Sequence, residues 1–294
     1  MKQKIILYVF LFGMIPLFIE IKAQTENERP DSMWDGDWFD NDYGDREDLD
    51  WDSELPEGNF ITPATPISKI LSLMTYNLQK QNYKAHAQII KDCAPDVVAI
   101  QEVHGWFGSN LNTLKEITGY DGEMCSTFSL AYAYGHALLW NPRLGSPSIT
   151  KHRMLTVKDP RDDIRAYIVA EFYDFYVIST HLSTNPTENE KMVKKILKEK
   201  SITNYKKPVY IIGDLNPRTK GNFETLTAMQ DKGFEILNNM TDSTHVTRGK
   251  EGRPDVILEK NTNSNRQIID RRVPENASYE YSDHKPYYVK VRFK

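Results

Sequence analysis

The chain has 294 residues, 39% of them hydrophobic, and a formal net charge of −4, which is ample apolar content for one large core or two small ones. Its two cysteines, Cys93 and Cys125, exclude a disulfide scaffold and a closed zinc site, leaving room for one bridge at most; Cys93 beside Ala94 reads more simply as a buried apolar residue. No segment repeats with a period of 20–50 residues, which excludes a solenoid or a propeller.

Residues 1–23 read as a secretory signal peptide. Lys2 and Lys4 precede an apolar run from Ile5 to Ile19, and Ala23 follows at a cleavage position. The run is about 15 residues long and contains Gly13 and Pro16, short of the roughly 20 residues of a spanning helix. A secreted or periplasmic protein is expected, with no stable membrane insertion after cleavage; an uncleaved anchor is the alternative. Residues 24–66 form an acidic leader that carries 14 Asp and Glu against Arg29 and Arg46, with Trp34, Trp38 and Trp51 but few aliphatic residues. Such a segment buries too little apolar surface to repay its ordering entropy, so disorder is expected. Its Asp35–Asp45 run lacks the ligand spacing of a calcium loop. The signal region contributes about +2 and the leader about −12, which leaves about +6 on residues 67–294. A mildly basic domain suits a polyanionic or phosphate-bearing substrate.

From Ile70 onward strand and helix patterns alternate. Leu71–Tyr76 reads as a strand, Tyr83, Ala87 and Ile90 recur at helical spacing before Pro95, and Val97–Ile100 is a fully apolar strand. Arg165–Phe172 and Phe175–Thr180 are strand-like and joined through Asp174. Asn185-Pro186-Thr187-Glu188 supplies a helix start with a cap, a proline at the first position and a returning Glu, and Met192, Ile196 and Leu197 mark the buried face. Val209–Ile212, Asp255–Leu258 and Tyr287–Phe293 are further strands, while Phe223, Leu226 and Met229 face inward from another helix.

Five of these strand ends carry polar groups suited to phosphate and metal. Asn77 follows the first strand, Glu102 the second, His181 the strand ending at Thr180, and Asp214 and Asn216 the Ile211-Ile212-Gly213 run; Asp283-His284 precede the last strand. A strand end is held by its sheet yet opens to a cleft, where a rigid catalytic constellation is best built. Singly each is a turn residue or a solvated charge. Together they form a pattern that coincidence does not supply.

Six stretches then resemble the endonuclease/exonuclease/phosphatase superfamily. They are Met74-Thr75-Tyr76-Asn77-Leu78, Ile100-Gln101-Glu102, Ser179-Thr180-His181-Leu182, Gly213-Asp214-Leu215-Asn216, Arg253-Pro254-Asp255-Val256-Ile257-Leu258 and Ser282-Asp283-His284-Lys285-Pro286. The resemblance implies a deoxyribonuclease-like four-layer α/β sandwich, two mixed β-sheets face to face with helices outside, over residues 67–294. It implies a metal-dependent phosphodiesterase, most commonly a nuclease. Phosphoryl transfer needs an oriented water, charge stabilisation and help for the leaving group. In that scheme Glu102 is the principal metal ligand, with Asn77 beside it and Asp283 completing a metal or phosphate shell. Mg²⁺ or Mn²⁺ is the expected ion, with Ca²⁺ as an addition. Asp214 orients or deprotonates the water, Asn216 fixes water or phosphate, and His181 and His284 donate to the scissile phosphate. Asp255 holds His284 in its tautomer, and Arg165 is a phosphate clamp. The partner is a phosphate ester, foremost a nucleic acid; a lipid or sugar phosphate and a non-catalytic binding module are the alternatives. No protein partner is indicated.

Departures from the family pattern are expected at three places. His136, within Tyr134–Trp140, stands where a small amide or apolar residue is usual and reads as a satisfied strand histidine. His104, Trp106 and Phe107 read as an aromatic rim loop, and Arg271-Arg272 as surface charge. Asn276-Ala277-Ser278 matches a glycosylation sequon.

Overall fold

The computed structural model describes residues 5–7, 19–21, 70–79, 82–106, 109–126, 132–154, 165–203, 207–247, 249–260 and 266–293. The acidic leader, its tryptophans and its Asp-rich run lie outside the described residues. The chain divides into two compact units, Met1–Leu49 and Asp50–Lys294. In the first, Ile5–Leu7 and Ile19–Ile21 pair as short antiparallel strands.

The second unit contains β1 (Ile70–Asn77), α1 (Tyr83–Cys93), β2 (Val97–Trp106), α2 (Ser109–Thr118), β3 (Asp121–Ser126) and β4 (Tyr132–Trp140). Then come β5 (Ser148–Met154), β6 (Arg165–Glu171), β7 (Tyr176–His181), α3 (Pro186–Ile196), β8 (Val209–Asp214), β9 (Glu235–Ile236), β10 (Asp255–Lys260), β11 (Arg266–Arg272) and β12 (Tyr287–Phe293). One six-stranded sheet has the order β11-β12-β1-β2-β4-β3, the other β5-β6-β7-β8-β10-β9. Each has a single parallel pair at its centre, β1 with β2 and β7 with β8, joined through α1 and α3 respectively. Read from edge to edge, the two sheets share one topology. The first is merely interrupted by the chain ends, which place β12 against β1 with Tyr287 opposite Thr75.

Central strands are apolar on both faces because both faces are covered. Leu71 and Leu73 of β1 face the other sheet, in a cluster with Val97, Ala99, Leu138 and Trp140 from their own sheet and Ala166, Ile168, Val177, Tyr210, Ile212 and Ile257 from the opposite one. Met74 and Tyr76 point the other way and pack with Tyr83, Ala87 and Ile90 of α1 and Leu111 and Leu114 of α2. On the far side Ile178, Ile211 and Val256 meet Met192, Val193 and Ile196 of α3. The result is the helix–sheet–sheet–helix sandwich of four layers. Each such aliphatic side chain contributes roughly 1.5–3 kcal/mol by leaving water.

Several local expectations are revised. Phe223 lies on the short strand Phe223–Glu224, not on the helix Thr225–Gln230 that carries Leu226 and Met229. β2 runs on to Trp106, so His104 and Trp106 are strand residues paired with Tyr134 and Tyr132, not a rim loop; Phe107 is outside the described residues. Arg271 and Arg272 belong to the edge strand β11 and are exposed, Arg272 pairing with Asp270 at 2.9 Å. Asn185 caps α3 by accepting from the N–H groups of Thr187 and Glu188. Its own N–H donates to Ser183 Oγ, however, so Glu188 does not return; it accepts from Lys191 at 3.1 Å. Cys125 sits in the inter-sheet cluster and Cys93 packs on the opposite face of the same sheet, and neither forms a disulfide. Asn276 is exposed and donates to Asp92 at 2.7 Å.

The tightest backbone approach is at Gly213, where a Cβ would stand 1.8 Å from the Thr180 carbonyl oxygen of the neighbouring parallel strand. Backbone cannot yield as a flexible side chain does. Gly213→Ala is expected to cost more than about 3 kcal/mol or to prevent folding, read from urea unfolding and soluble yield; an unchanged midpoint would contradict this packing.

Candidate active site

The two parallel pairs end at the same mouth. Asn77 closes β1, His181 closes β7 and Asp214 closes β8, and Asp255 opens β10 directly opposite Asp214. Glu102 arrives differently. Between Ile100, paired with Ala137, and Val103, paired with Gly135, the two residues Gln101 and Glu102 oppose His136 alone. This bulge puts Glu102 at φ 57°, a left-handed conformation rare for a non-glycine residue. Strain of that kind persists where surrounding structure enforces it and clusters at functional sites.

Asp214 is the hub. It is buried, and its Oδ2 accepts from Asn77 Nδ2 at 3.2 Å and lies 3.3 Å from His181 Nε2 and 3.8 Å from His284 Nε2. Its Oδ1 accepts from the Asn216 N–H at 3.1 Å. Burial alone would raise this carboxyl's pKa, but His181, His284 and the Asn77 amide outweigh it and hold the group below the ordinary carboxylate range. Asp214 is therefore ionised at neutral pH.

Two histidines flank the hub with different supports. Arg165, buried rather than at the surface, brings one guanidinium nitrogen to 2.7 Å from His181 Nδ1 and 2.9 Å from Nε2. Arginine only donates, so Nδ1 accepts from it while Nε2–H is left to face Asp214. Arg165 thus stands behind His181. His284 is held from the other side by Asp255 Oδ2, 2.8 Å from Nδ1. Burial lowers the pKa of this imidazole, but Asp255, Asp214 and Asp283 together push it up to about 10. Asp255 itself is raised because its burial exceeds the pull of His284, whose Nδ1–H donates to it. Asp283 stands on the far side of His284, with its Oδ1 3.9 Å from Nε2.

Asn77 also donates to Glu102 Oε1 at 3.0 Å, and its own Oδ1 accepts from the Gln79 N–H at 3.2 Å. As arranged, the amide nitrogen rather than the oxygen faces the two carboxylates, so Asn77 bridges them. Glu102, half-buried at the mouth, is the side chain that fits a hard divalent cation, which takes carboxylate oxygen and completes its shell with water. Asn216, at φ 39°, donates its amide to the Leu182 carbonyl at 3.1 Å.

Four supporting residues escaped the sequence reading. Asn189, fully buried on α3, donates to the carbonyls of Ser183, Leu215 and Asn216 and accepts from Thr225, which fixes the loop after Asp214. A mid-helix Asn is a poor helix former, and that was its only signal. Ser282 ties the Asn77 carbonyl to the His284 N–H through one hydroxyl. Gln101 accepts from Thr75 at 3.2 Å. His245 lies against His284 with ring centroids 4.4 Å apart and planes tilted by 46°.

The profile of the Endonuclease/Exonuclease/phosphatase family matches residues 74–217. Over those residues the chain belongs to this family. It is accordingly a phosphoric ester hydrolase of the divalent-metal-dependent kind. The sandwich is similar to that of an endonuclease/exonuclease/phosphatase from Bacteroides vulgatus, at TM-score 0.63 and 15% identity, covering 76% of this chain and 99% of that one. D. rerio TDP2 complexed with a single-strand DNA product is similar at TM-score 0.59 and 15% identity, over 76% and 100% of the two chains. ANGEL2, a 2',3'-cyclic phosphatase, is similar at TM-score 0.56 and 15% identity, over 76% and 95%. No curated protein matches the sequence.

His136 is not the satisfied strand histidine of the sequence reading. It is 2% exposed, and its Nε2 has no hydrogen-bond partner among the described residues. Burial, with His181 and Arg165 nearby, holds its pKa down to about 3. The sign is fixed: the unfolded chain binds this proton from about pH 6.5 downward and the folded chain does not, so stability is lost as pH falls through that window. Between pH 6.5 and 5 the loss is about 2 kcal/mol. His136→Asn should remove that share of the acid sensitivity in urea unfolding at the two pH values, whereas an equally steep loss in the variant would refute the assignment.

Proposed function

We propose that this chain is a secreted, Mg²⁺-dependent phosphodiesterase whose substrate is a nucleic acid. The observation that carries the catalytic part is the ionised Asp214 carboxylate, bracketed by Asn77, His181 and His284 within 3.2–3.8 Å. In this reading Asp214 holds the attacking water by one oxygen and takes its proton as the bond forms. Its depressed pKa keeps it unprotonated and ready. His284, a cation in its Asp255 cradle, donates Nε2–H to the scissile phosphate, and His181 does so from the other side. Arg165 acts through His181 as a positioning residue. Asn216 and Asn189 fix the loop that carries Asp214. Asn77 keeps the carboxylates of Asp214 and Glu102 apart and oriented. Glu102 would hold the divalent cation, which would supply charge neutralisation at the phosphate oxygens; Asn77 would present oxygen to it only with its amide turned over, and Asp283 would join a phosphate shell.

Support for a nucleic acid comes from the charge of about +6 on residues 67–294 and from TDP2, whose structure holds a single-strand DNA product. Secretion rests on the lysines and apolar run before Ala23. Among the described residues no helix is long and apolar enough to cross a membrane.

The test is hydrolysis of plasmid DNA, RNA, a 2',3'-cyclic phosphate, sphingomyelin and inositol phosphates with Mg²⁺, Mn²⁺ or Ca²⁺, each with and without chelator. Chelation should abolish turnover, and Glu102→Gln and Asp214→Asn should each lower kcat at least about 10²-fold in protein that is still folded by circular dichroism. A nucleic-acid substrate should show kcat/KM falling steeply with salt as counterions are displaced. Chelator-resistant turnover, or an active Asp214→Asn protein, sinks the mechanism. Nucleic acids left uncut at low salt transfer the reading to lipid or sugar phosphates.

A further inference from the structure

Beside the catalytic groups stands a second cluster that the reaction above does not use as a unit: His245, Asp283 and His284. One ligand atom from each lies within 4.8 Å of the others. His245 Nε2 is 3.8 Å from Asp283 Oδ2, and His284 Nε2 is 3.9 Å from Asp283 Oδ1. These spacings are too long for hydrogen bonds, yet Asp283 Oδ1 is a buried oxygen with no hydrogen-bond partner among the described residues. A carboxylate oxygen that no protein donor engages is available to a cation.

The backbone holds the three residues in place. His245 opens the strand His245–Thr247, paired with Lys250–Gly252, and forms a bridge with His284. The Val246 N–H donates to the Asp283 carbonyl at 3.2 Å and the Lys285 N–H to the Thr244 carbonyl at 2.7 Å. Main-chain bonds thus fix the backbone spacing of the two histidines. A Cβ at position 252 would stand 3.5 Å from His245 Nδ1, so Gly252 leaves that edge of the ring its room, while Nε2 lies 3.8 Å from Asp283 Oδ2. His284 Nδ1 is engaged by Asp255 at 2.8 Å, the arrangement by which a carboxylate orients a metal-binding imidazole through its other nitrogen.

We propose that His245 Nε2, Asp283 and His284 Nε2 form a site for one borderline divalent cation, of which Zn²⁺ is the type, distinct from the Glu102 carboxylate that suits Mg²⁺. Two imidazole nitrogens and a carboxylate are a borderline-cation donor set, whereas a hard ion prefers oxygen alone. Ligand distances of about 2.0–2.2 Å draw tetrahedral ligand atoms to roughly 3.3–3.5 Å from one another, so ligand atoms that now lie within 4.8 Å of one another close by up to about 1.4 Å on loading. Occupancy displaces the Nε2 proton of His284 to solvent and takes that nitrogen away from the phosphate. Zn²⁺ is then an inhibitor at concentrations where Mg²⁺ supports turnover; that consequence rests on the function proposed above, and the binding does not.

The experiment is titration of metal-stripped full-length protein with Zn²⁺ by calorimetry, and with Co²⁺ by visible absorption, at fixed millimolar Mg²⁺. Wild type should take up one Zn²⁺ and show Co²⁺ bands of a four- or five-coordinate nitrogen–oxygen site. His245→Gln should weaken binding at least about 10-fold and lose the bands, while Glu102→Gln leaves both unchanged. Asp283→Asn is the second variant should His245→Gln prove unstable by melting, with the same expected loss. Zn²⁺ inhibition of Mg²⁺-supported hydrolysis should be relieved in His245→Gln. Wild-type affinity in both His245→Gln and Asp283→Asn, or loss of the ion in Glu102→Gln, overturns the site. Binding that follows the expected pattern with no hydrolysis of any substrate would leave the site standing and remove the function proposed above.

Discussion

Everything at the mouth of the sandwich depends on keeping one buried carboxylate charged. Asp214 sits between two sheets whose facing surfaces are otherwise apolar, and an ion there survives only if its desolvation is repaid locally. Repayment comes from both sheets at once: Asn77 from one, His181 from the other, and His284 from the loop before β12. The same contacts that stabilise the charge position the groups that act on a phosphate. Structural and chemical roles cannot be separated at this residue, since removing a partner leaves an uncompensated buried ion as well as a missing donor.

Legibility in the sequence followed burial. The central strands were readable because both their faces are covered, which makes Val97–Ile100 and Val209–Ile212 unbroken apolar runs. The strands not read were those at the edges. β3, β5, β9 and β11 are the outermost strands of the two sheets, and they carry Glu123, Lys151, Glu235 and Arg271 toward solvent. Charge on an edge protects it from pairing with another chain, and that same charge erases the alternation by which a strand is recognised. β4 was half seen, through Tyr134–Trp140, because its middle is buried on both sides.

The site was legible as a set of residues but not as a set of contacts. Strand-end position nominated Asn77, Glu102, His181, Asp214 and His284 without saying which way any of them turns. That Arg165 lies behind His181, and that Asn77 presents nitrogen rather than oxygen, are facts of side-chain packing between separate elements, near in sequence for the first pair and 137 residues apart for Asn77 and Asp214. The bulge at Gln101–Glu102 was invisible for a related reason. Nothing in an apolar strand followed by Gln-Glu announces that two residues will oppose one, although the extra residue is what turns Glu102 to the mouth and returns Val103 to the layer under the helices.

The shared topology of the two sheets has a bearing on how the molecule is made. One sheet, β5 to β10, is a continuous stretch of chain from Ser148 to Lys260 and has all its strands once that stretch has left the ribosome. The other is begun by β1 and lacks β11 and β12 until residues 266–293 emerge, so β1 waits with one edge open while every strand of the continuous sheet is made. Asp283 and His284 arrive with that segment. Biosynthesis from the N-terminus thus brings out Glu102, His181 and Asp214 first and His284 after them, so the mouth stays incomplete until β12 closes on β1.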